Sequence, residues 1–446
     1  MEIVGTSRQG TSSGNGDASI DMVGLVKFIR EKLDKLSCPS PECCIYEVPK
    51  TLKKINEDAY TPRTVSIGPL HHGKAGLKHM EEHKLRYFND FMQRSGKSLE
   101  ELVQIMEEME KRIRECYAET INLKSEIFLK IILVDAAFII EVLLRYSFPD
   151  LIITPNDRIF GKPWMISYIK HDLFLLENQI PFFVLQDLFK MINIQFSPNE
   201  TLLKTFIDFT LNWFRSYSYL EVQELLVPEH IDPSEIKHIL DFLRICLIPK
   251  QSLQPSRQSS QQNERKFDRP SATELHEAGV EFKVSSSKNL FDIKFSGNIL
   301  EIPHTRIVDS TERLLRNIIA YEQCHYDVTF FGAYTLIMDY LINTSKDVEL
   351  LVQAKIIENW LSDNSDVSNL FNGLSKEVNV KIEEYYFTKL HEELNDYCEI
   401  RSHKWKATLR QDYCNTPWRV LSITVAAILL GLTFIQSLCS LVSCNK

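Results

Sequence analysis

Apolar residues recur at steps of three and four along most of the chain, the spacing of one face of an α-helix. Met22, Val26, Ile29, Leu33 and Leu36 form the first such stripe. Pro39, Pro41 and the adjacent Cys43 and Cys44 interrupt it, and residues 45–48 read as briefly extended. A loop rich in Pro, Gly and His follows and ends near Gly76. Beyond it the pattern predicts helices over 77–92, 99–117, 125–146, 199–217 and 233–247. The stretch 165–192 is apolar enough to suggest a membrane segment, but Lys170, His171, Asp172, Glu177 and Asp187 are each costly in hydrocarbon. It reads instead as a core helix bent at Pro181, whose ring removes a backbone hydrogen bond.

The period changes after residue 271. Phe291, Ile293 and Phe295 alternate with polar residues, Ser296-Gly297-Asn298 supplies a turn, and Leu300 and Ile302 resume the alternation. With residues 280–284 this predicts a small three-stranded antiparallel sheet. Asp309 followed by Glu312 reads as a capping box. Helices are then expected over 317–344, 346–361 and 365–378. A last one from Lys381 places Tyr386, Leu390, Leu394, Tyr397 and Ile400 on one face. The fold class is therefore mainly α: a multi-helix globular body with a small antiparallel sheet.

The C-terminal region differs from all of this. From Val420 to Val442 no residue is charged, and a helix over that run would cover about 34 Å against a hydrocarbon core of roughly 30 Å. Pro417 suits a helix's first turn and Trp418 an interface. A buried core helix is the alternative; length and lack of charge together favour a transmembrane anchor at 417–443. Arg401, Lys404, Lys406, Arg410 and Arg419 precede the run and only Lys446 follows it, which predicts a single-pass, tail-anchored protein with a cytosolic body. The plasma membrane and the endoplasmic reticulum both fit.

Residues 251–264 are dominated by Gln and Ser and bury too little apolar area to offset chain entropy. The expected organisation is a disordered leader at 1–19, a helical lobe at 20–250 and a flexible linker at 251–271. The sheet and C-terminal helices follow at 272–416, packed with the first lobe, and the anchor at 417–443. The apolar share of 44% with 25% charged is ordinary for a globular core. A net charge of -9, from 60 acidic against 51 basic residues, argues against nucleic acid as a partner. The 10 cysteines are dispersed and residues 1–21 carry no apolar export signal, so reduced cytosolic thiols are expected.

Five segments in order carry a family resemblance. IYEVPKTLKKINEDAYTPRTVSIGPLHHGKAGLKHMEEHK (45–84), DLFLLENQIPFF (172–183), ATELHEAGVEFK (272–283), DVELLVQAKIIENWL (347–361) and NTPWRVLSITVAAILLGLTF (415–434) are similar to a plant family, the domain of unknown function 247. The resemblance covers about residues 45–440. It implies a land-plant protein, mostly helical, with a C-terminal membrane segment and no settled biochemical activity; it supplies no catalytic residues to transfer.

Three constellations could carry chemistry. Gly68-Pro69-Leu70-His71-His72-Gly73-Lys74-Ala75 has the spacing of a phosphate-binding loop, and residues 131–135, ending in Asp135, imitate its acidic partner strand. Ala75 stands where a Ser or Thr hydroxyl should hold Mg²⁺, and Pro69 removes a backbone donor, so a structural turn is the favoured reading. His71, His72, His79 and His83 are the candidate metal ligands. His79 and His83, four apart, would share a helix face, yet Met80 replaces the glutamate that a zinc-protease motif requires. Asp172, Glu177, Asn178 and Gln179 place polar groups in an apolar stretch, where each must find a partner. There is no G-x-S-x-G, no kinase set and no CxxC.

The resulting expectation is a membrane-tethered interaction or recognition protein, with the bilayer met through residues 417–443 and another protein bound by the body. No catalytic residue and no cofactor is assigned. The alternative is a divalent-metal hydrolase or nuclease using the 71–83 region. Oligomeric state is not set by the sequence.

Overall fold

Most helices form where the apolar stripes place them. The computed structural model describes residues 21–33, 40–151, 157–192, 205–215, 225, 232–248, 270–381, 385–399, 425–426 and 428–436. The leader at 1–19 lies outside them, as does the linker at 251–271 apart from Pro270 and Ser271. The chain divides into two units, Met1–Cys43 and Cys44–Lys446. In the first, α1 (Met22–Leu33) starts where Asp21 Oδ1 accepts the Gly24 N–H at 3.0 Å.

The second unit opens with the extended residues 44–48 and the short α2 (Lys50–Lys53). Helices α3 (Glu81–Ser95), α4 (Leu99–Glu115) and α5 (Ser125–Ser147) follow. Gly96, in the left-handed region at φ +64°, ends α3, and a Ser98–Glu101 capping box starts α4. α5 is the axis of this half: from Phe128 to Arg145 nearly every position is buried, with α3 and α4 packed on it. The predicted bent helix is two, α6 (Pro163–Asp172) and α7 (Phe182–Phe189), with a turn between them and Pro181 at the α7 N-cap. α7 and α8 (Phe206–Arg215) close over α5, and α9 (Ile239–Leu247) adds Phe242 to a cluster with Phe182 and Phe214 at centroid distances of 5.7 and 5.4 Å.

After α10 (Ala272–Glu277) come β1 (Glu281–Ser285), β2 (Lys294–Ser296), β3 (Ile299–Pro303) and β4 (Thr305–Ile307). α11 (Thr311–His325), α12 (Phe330–Leu341), α13 (Ser345–Gln353), β5 (Ile357–Asn359), α14 (Asn364–Leu374) and α15 (Thr388–Glu399) complete the body. α11 packs on α9, α12 and α14, and one apolar core runs from Cys44 to Leu394.

Two parts of the expected fold class are corrected. Among the described residues no helix is long and apolar enough to cross a membrane. In the tail the described helical residues lie between Val425 and Gln436, about 18 Å of helix where roughly 30 Å is needed. The rest of the uncharged run 420–442 lies outside the described residues, and the transmembrane helix expected at 417–443 is not supported.

The three-stranded sheet is mixed, not antiparallel. Its order is β1-β3-β2; β2 and β3 form the expected hairpin, while β1 runs parallel to β3 with Glu281 opposite Ile299. Phe291, expected to start the alternating strand, lies outside it. Its ring is buried against α12, 5.2 Å from Phe331 and 6.0 Å from Tyr334, and only residues 294–296 pair with β3. The helix expected over 346–361 also ends early. Lys355 takes a positive φ of 61°, and the chain leaves α13 to form β5, which pairs in parallel with β4.

Candidate functional site

Parts of the three constellations, Gly68 with Asp135, His71 with Glu177, and Asp172 with Asn178, meet in one buried region. Residues 63–68 belong to no helix or strand, so their N–H groups need other acceptors. Asp172, at the end of α6, provides most of them: its carboxylate accepts from Arg63 N at 3.0 Å, Thr64 N at 2.7 Å and Val65 N at 2.9 Å. Asn178 Oδ1 accepts from Ile67 N at 2.7 Å, and its amide donates to the carbonyls of Val65 and Asp172. Asp135 Oδ2 accepts from Gly68 N at 2.9 Å. Gln179 donates to the Leu173 and Leu175 carbonyls, which tightens the turn before Pro181.

Of the loop itself, Gly68 N is taken up by Asp135, and the N–H groups of His72 and Lys74 face the carbonyls of Pro69 and His71 at 3.4 Å. Gly68 sits at φ +70°, and a Cβ there would lie 2.6 Å from the Gln179 carbonyl oxygen. Lys74, in the position of the phosphate-binding lysine, is exposed. The buried lysine is Lys84 on α3, whose Nζ lies 2.7 Å from Asp135 Oδ1 and 2.7 Å from Glu81. Burial pushes the Asp135 carboxyl up to about 6 despite Lys84. Burial alone would lower the Lys84 ammonium, but Asp135 and Glu81 outweigh it and hold it above the ordinary range.

The four histidines do not share a face. His79 falls in a 3₁₀ turn, Ala75–Met80, exposed and with its Nδ1 3.0 Å from the Gly76 carbonyl oxygen. His83 begins α3 and is buried, and burial holds its ring below the usual histidine range. His72 is exposed. His71 is buried with its Nε2 3.2 Å from Glu177 Oε2, at an angle that makes no good hydrogen bond. Glu177 also accepts from Val48 N at 2.7 Å and meets Lys53 Nζ at 2.7 Å. Burial would raise this carboxyl, but His71, Lys53 and the Val48 N–H together hold it below the usual range. Among the described residues no group of three or more His, Cys, Asp or Glu could hold a metal ion.

Partners from distant segments complete the region, and nothing in the local sequence flags them. Arg313 of α11 donates to the Asp58 and Thr61 carbonyls and to Asp172 Oδ1 at 3.0 Å. Asn317, one turn on, binds the Ala59 carbonyl and accepts from Leu176 N. A second carboxylate, Glu322, is fully buried and accepts from the N–H groups of Phe330, Phe331 and Gly332 that open α12, while Arg244 Nε donates to it at 2.9 Å. The usable signal for such groups is a charged residue inside an apolar stripe, as Asp135, Glu141 and Arg145 are in α5.

Cys44, His238 and Asp241 also lie together, but not as a nucleophilic triad. A reactive thiol needs a lowered pKa. The Cys44 thiol is instead held well above its usual value by its hydrogen bond to Cys116 and by burial. His238 Nδ1 accepts from Asp241 N at 3.1 Å, and its Nε2 faces the Cys44 carbonyl oxygen at 3.1 Å. That leaves the ring neutral, and burial pushes it down to about 4. An apolar cleft between α12 and α15, lined by Ile337, Tyr340, Leu341 and Leu394, holds about 10 Å³, room for one water at most.

Comparison with known proteins agrees with the five sequence segments. A family described as a plant protein of unknown function, DUF247, matches residues 45–432. UPF0481 protein At3g47200 of Arabidopsis thaliana is 30% identical over 431 residues, covering 91% of this chain and 88% of that protein. Putative UPF0481 protein At3g02645 of the same plant is 25% identical over 509 residues, covering 93% of each. No solved structure matches. The chain belongs to DUF247, a family of plant proteins of unknown function.

Proposed function

We propose that this chain is a protein-interaction component, and that it presents Trp360 to a protein partner. One observation carries the reading: Trp360 is 57% exposed, yet held in a fixed orientation. Its backbone N–H extends the β4–β5 pairing by donating to the Ile307 carbonyl at 2.9 Å. Its indole N–H donates to Glu358 Oε1 at 2.9 Å, and the Arg306 guanidinium lies 4.5 Å from the ring centroid. Arg306 Nε donates in turn to Glu358 Oε2 at 2.8 Å, and this pairing holds the Glu358 carboxyl below its usual range. An exposed tryptophan fixed this way loses little entropy on binding, and Trp and Arg are the residue types that dominate interface energies. The buried carboxylates Asp135, Asp172 and Glu177, by contrast, are taken up by backbone N–H groups and ion pairs inside the fold.

The test uses the full chain. Proximity labelling in plant cells with wild type and Trp360→Ala identifies partners that depend on the indole, and titration of the purified pair measures the affinity. A hot-spot residue worth about 2 kcal/mol gives a loss of about 30-fold in Kd. The melting temperature should not change. An unchanged partner set and an unchanged Kd would overturn the reading.

A further inference from the structure

Cys44 and Cys116 sit side by side near the start of the second unit. Ile45 and Tyr117, the residues that follow the two cysteines, form an isolated parallel bridge. The Cys116 carbonyl accepts from both Cys44 N and Ile45 N at 2.9 Å, and Ala118 N donates to the Ile45 carbonyl at 2.9 Å. A direct backbone hydrogen bond from Cys44 N to the Cys116 carbonyl brings the two residues into the Cα spacing that a disulfide spans, roughly 4.4–6.8 Å. Cys116 Sγ donates to the Arg112 carbonyl at 3.3 Å, and Cys116 is near enough to the Cys44 thiol to raise its pKa. Both are free thiols, 1% and 2% exposed.

We propose that Cys44 and Cys116 are a modification site: a reversible disulfide that locks residues 44–48 to the end of α4 when the surroundings turn oxidising. The oxidant is a small disulfide such as oxidised glutathione. One protein thiolate attacks it and releases one glutathione thiolate. The second protein thiolate then attacks the mixed disulfide and releases the other. Two protein thiols lose two protons and two electrons, and one glutathione disulfide becomes two glutathione thiols. Burial makes the closed state slow to react, so oxidation proceeds through opening of residues 44–48, which only three short backbone hydrogen bonds tie to residues 116–118. Ile45 and Tyr117, which follow the pair, are buried, and the chain reaches the surface at Glu47 and Ala118.

The lock has structural reach. Val48 carries the N–H bound by Glu177, and the Tyr46 hydroxyl meets His325 Nδ1 at 2.9 Å, so closing the bond fixes contacts to two distant segments. The ring it closes spans about 70 residues and contains the 63–68 segment, α3 and α4; a loop of that length is strongly restricted in the unfolded chain by a crosslink.

The experiment equilibrates the purified full chain with oxidised glutathione, blocks remaining thiols under denaturing conditions and maps the crosslinked peptides. The expected result is one dominant crosslink between the peptides holding Cys44 and Cys116, reversed by dithiothreitol, with a melting temperature raised by at least 5 °C. Cys43→Ser should keep that crosslink and Cys44→Ser should remove it, which separates the two adjacent cysteines. If the variants do not fold, the wild-type map still decides. Alkylated Cys44 and Cys116 after equilibrium oxidation, or a Cys43–Cys44 bond in their place, would overturn the proposal.

Discussion

Gly68 and Gly73 both adopt a positive φ, +70° and +83°, and the sequence treats them alike. The fold does not. A Cβ at Gly73 meets nothing within 4 Å, so Gly73→Ala costs only the left-handed backbone term, about 1–2 kcal/mol. A Cβ at Gly68 would stand 2.6 Å from a backbone oxygen and 3.1 Å from the Tyr117 hydroxyl. Neither atom is the free end of a flexible chain, because Tyr117 itself donates to the Gln179 carbonyl at 3.1 Å. Relief therefore requires the backbone to shift, about 1–3 kcal/mol for an overpacked core. The shift also loosens the Gly68 N–H from Asp135, worth about 1 kcal/mol more. Gly68→Ala should cost about 3–6 kcal/mol, and at about 2 °C per kcal/mol for a large chain the melting temperature falls by about 6–12 °C, against about 2–4 °C for Gly73→Ala. Differential scanning fluorimetry of the two purified variants reads the contrast. Equal drops, or a larger one at Gly73, would refute the close approach of the 63–68 segment to the 172–181 turn.

His238 gives a pH signature. It stays neutral in the folded chain with its pKa pushed down to about 4, whereas the unfolded chain protonates near 6.5, so stability is intact above pH 6.5 and lost as pH falls toward 4, by about 3 kcal/mol. His238→Asn, which keeps an acceptor for the Asp241 N–H, should flatten that slope in denaturant titrations at pH 7.5 and 4.5; an equal slope would contradict the assignment. Lys84→Met should cost about 3 kcal/mol by leaving Asp135 unpaired, and Lys74→Ala less than about 0.5 kcal/mol. A rise in wild-type melting temperature with millimolar MgATP, abolished by Lys74→Ala, would show that the loop binds phosphate after all.

The helices were legible because their signal is local. The stripes at 99–117 and 125–146 fell within a few residues of α4 and α5, and Ser98 with Glu101 capped α4. The sheet was less so: alternation marks a strand but not its direction, and that of Phe291 with Ile293 and Phe295 reads the same although only residues 294–296 pair. The uncharged run at 420–442 is a compositional signal, and composition does not report how much of it is helix. In the site, the need of Asp172 and Asn178 for partners was readable, since a polar group in an apolar stretch must be satisfied. Their partners were not, because Arg63, Ile67 and Arg313 lie more than a hundred residues away in sequence. The exposure of Trp360 was equally hidden, because the helix expected over 346–361 would have placed it differently.

The polar residues of the 172–179 segment hold residues 63–68 in place, and hydrogen exchange by mass spectrometry or NMR on the wild-type chain reads this residue by residue. The amides of Arg63, Thr64, Val65, Ile67 and Gly68 lie outside every helix and strand, yet each donates to a side chain that is itself buried. They should exchange as slowly as the buried turns of α5, and Asp172→Asn should speed residues 63–65 while leaving α5 unchanged. Rapid exchange of these amides in the wild-type chain, at the rate of an open loop, would contradict the account.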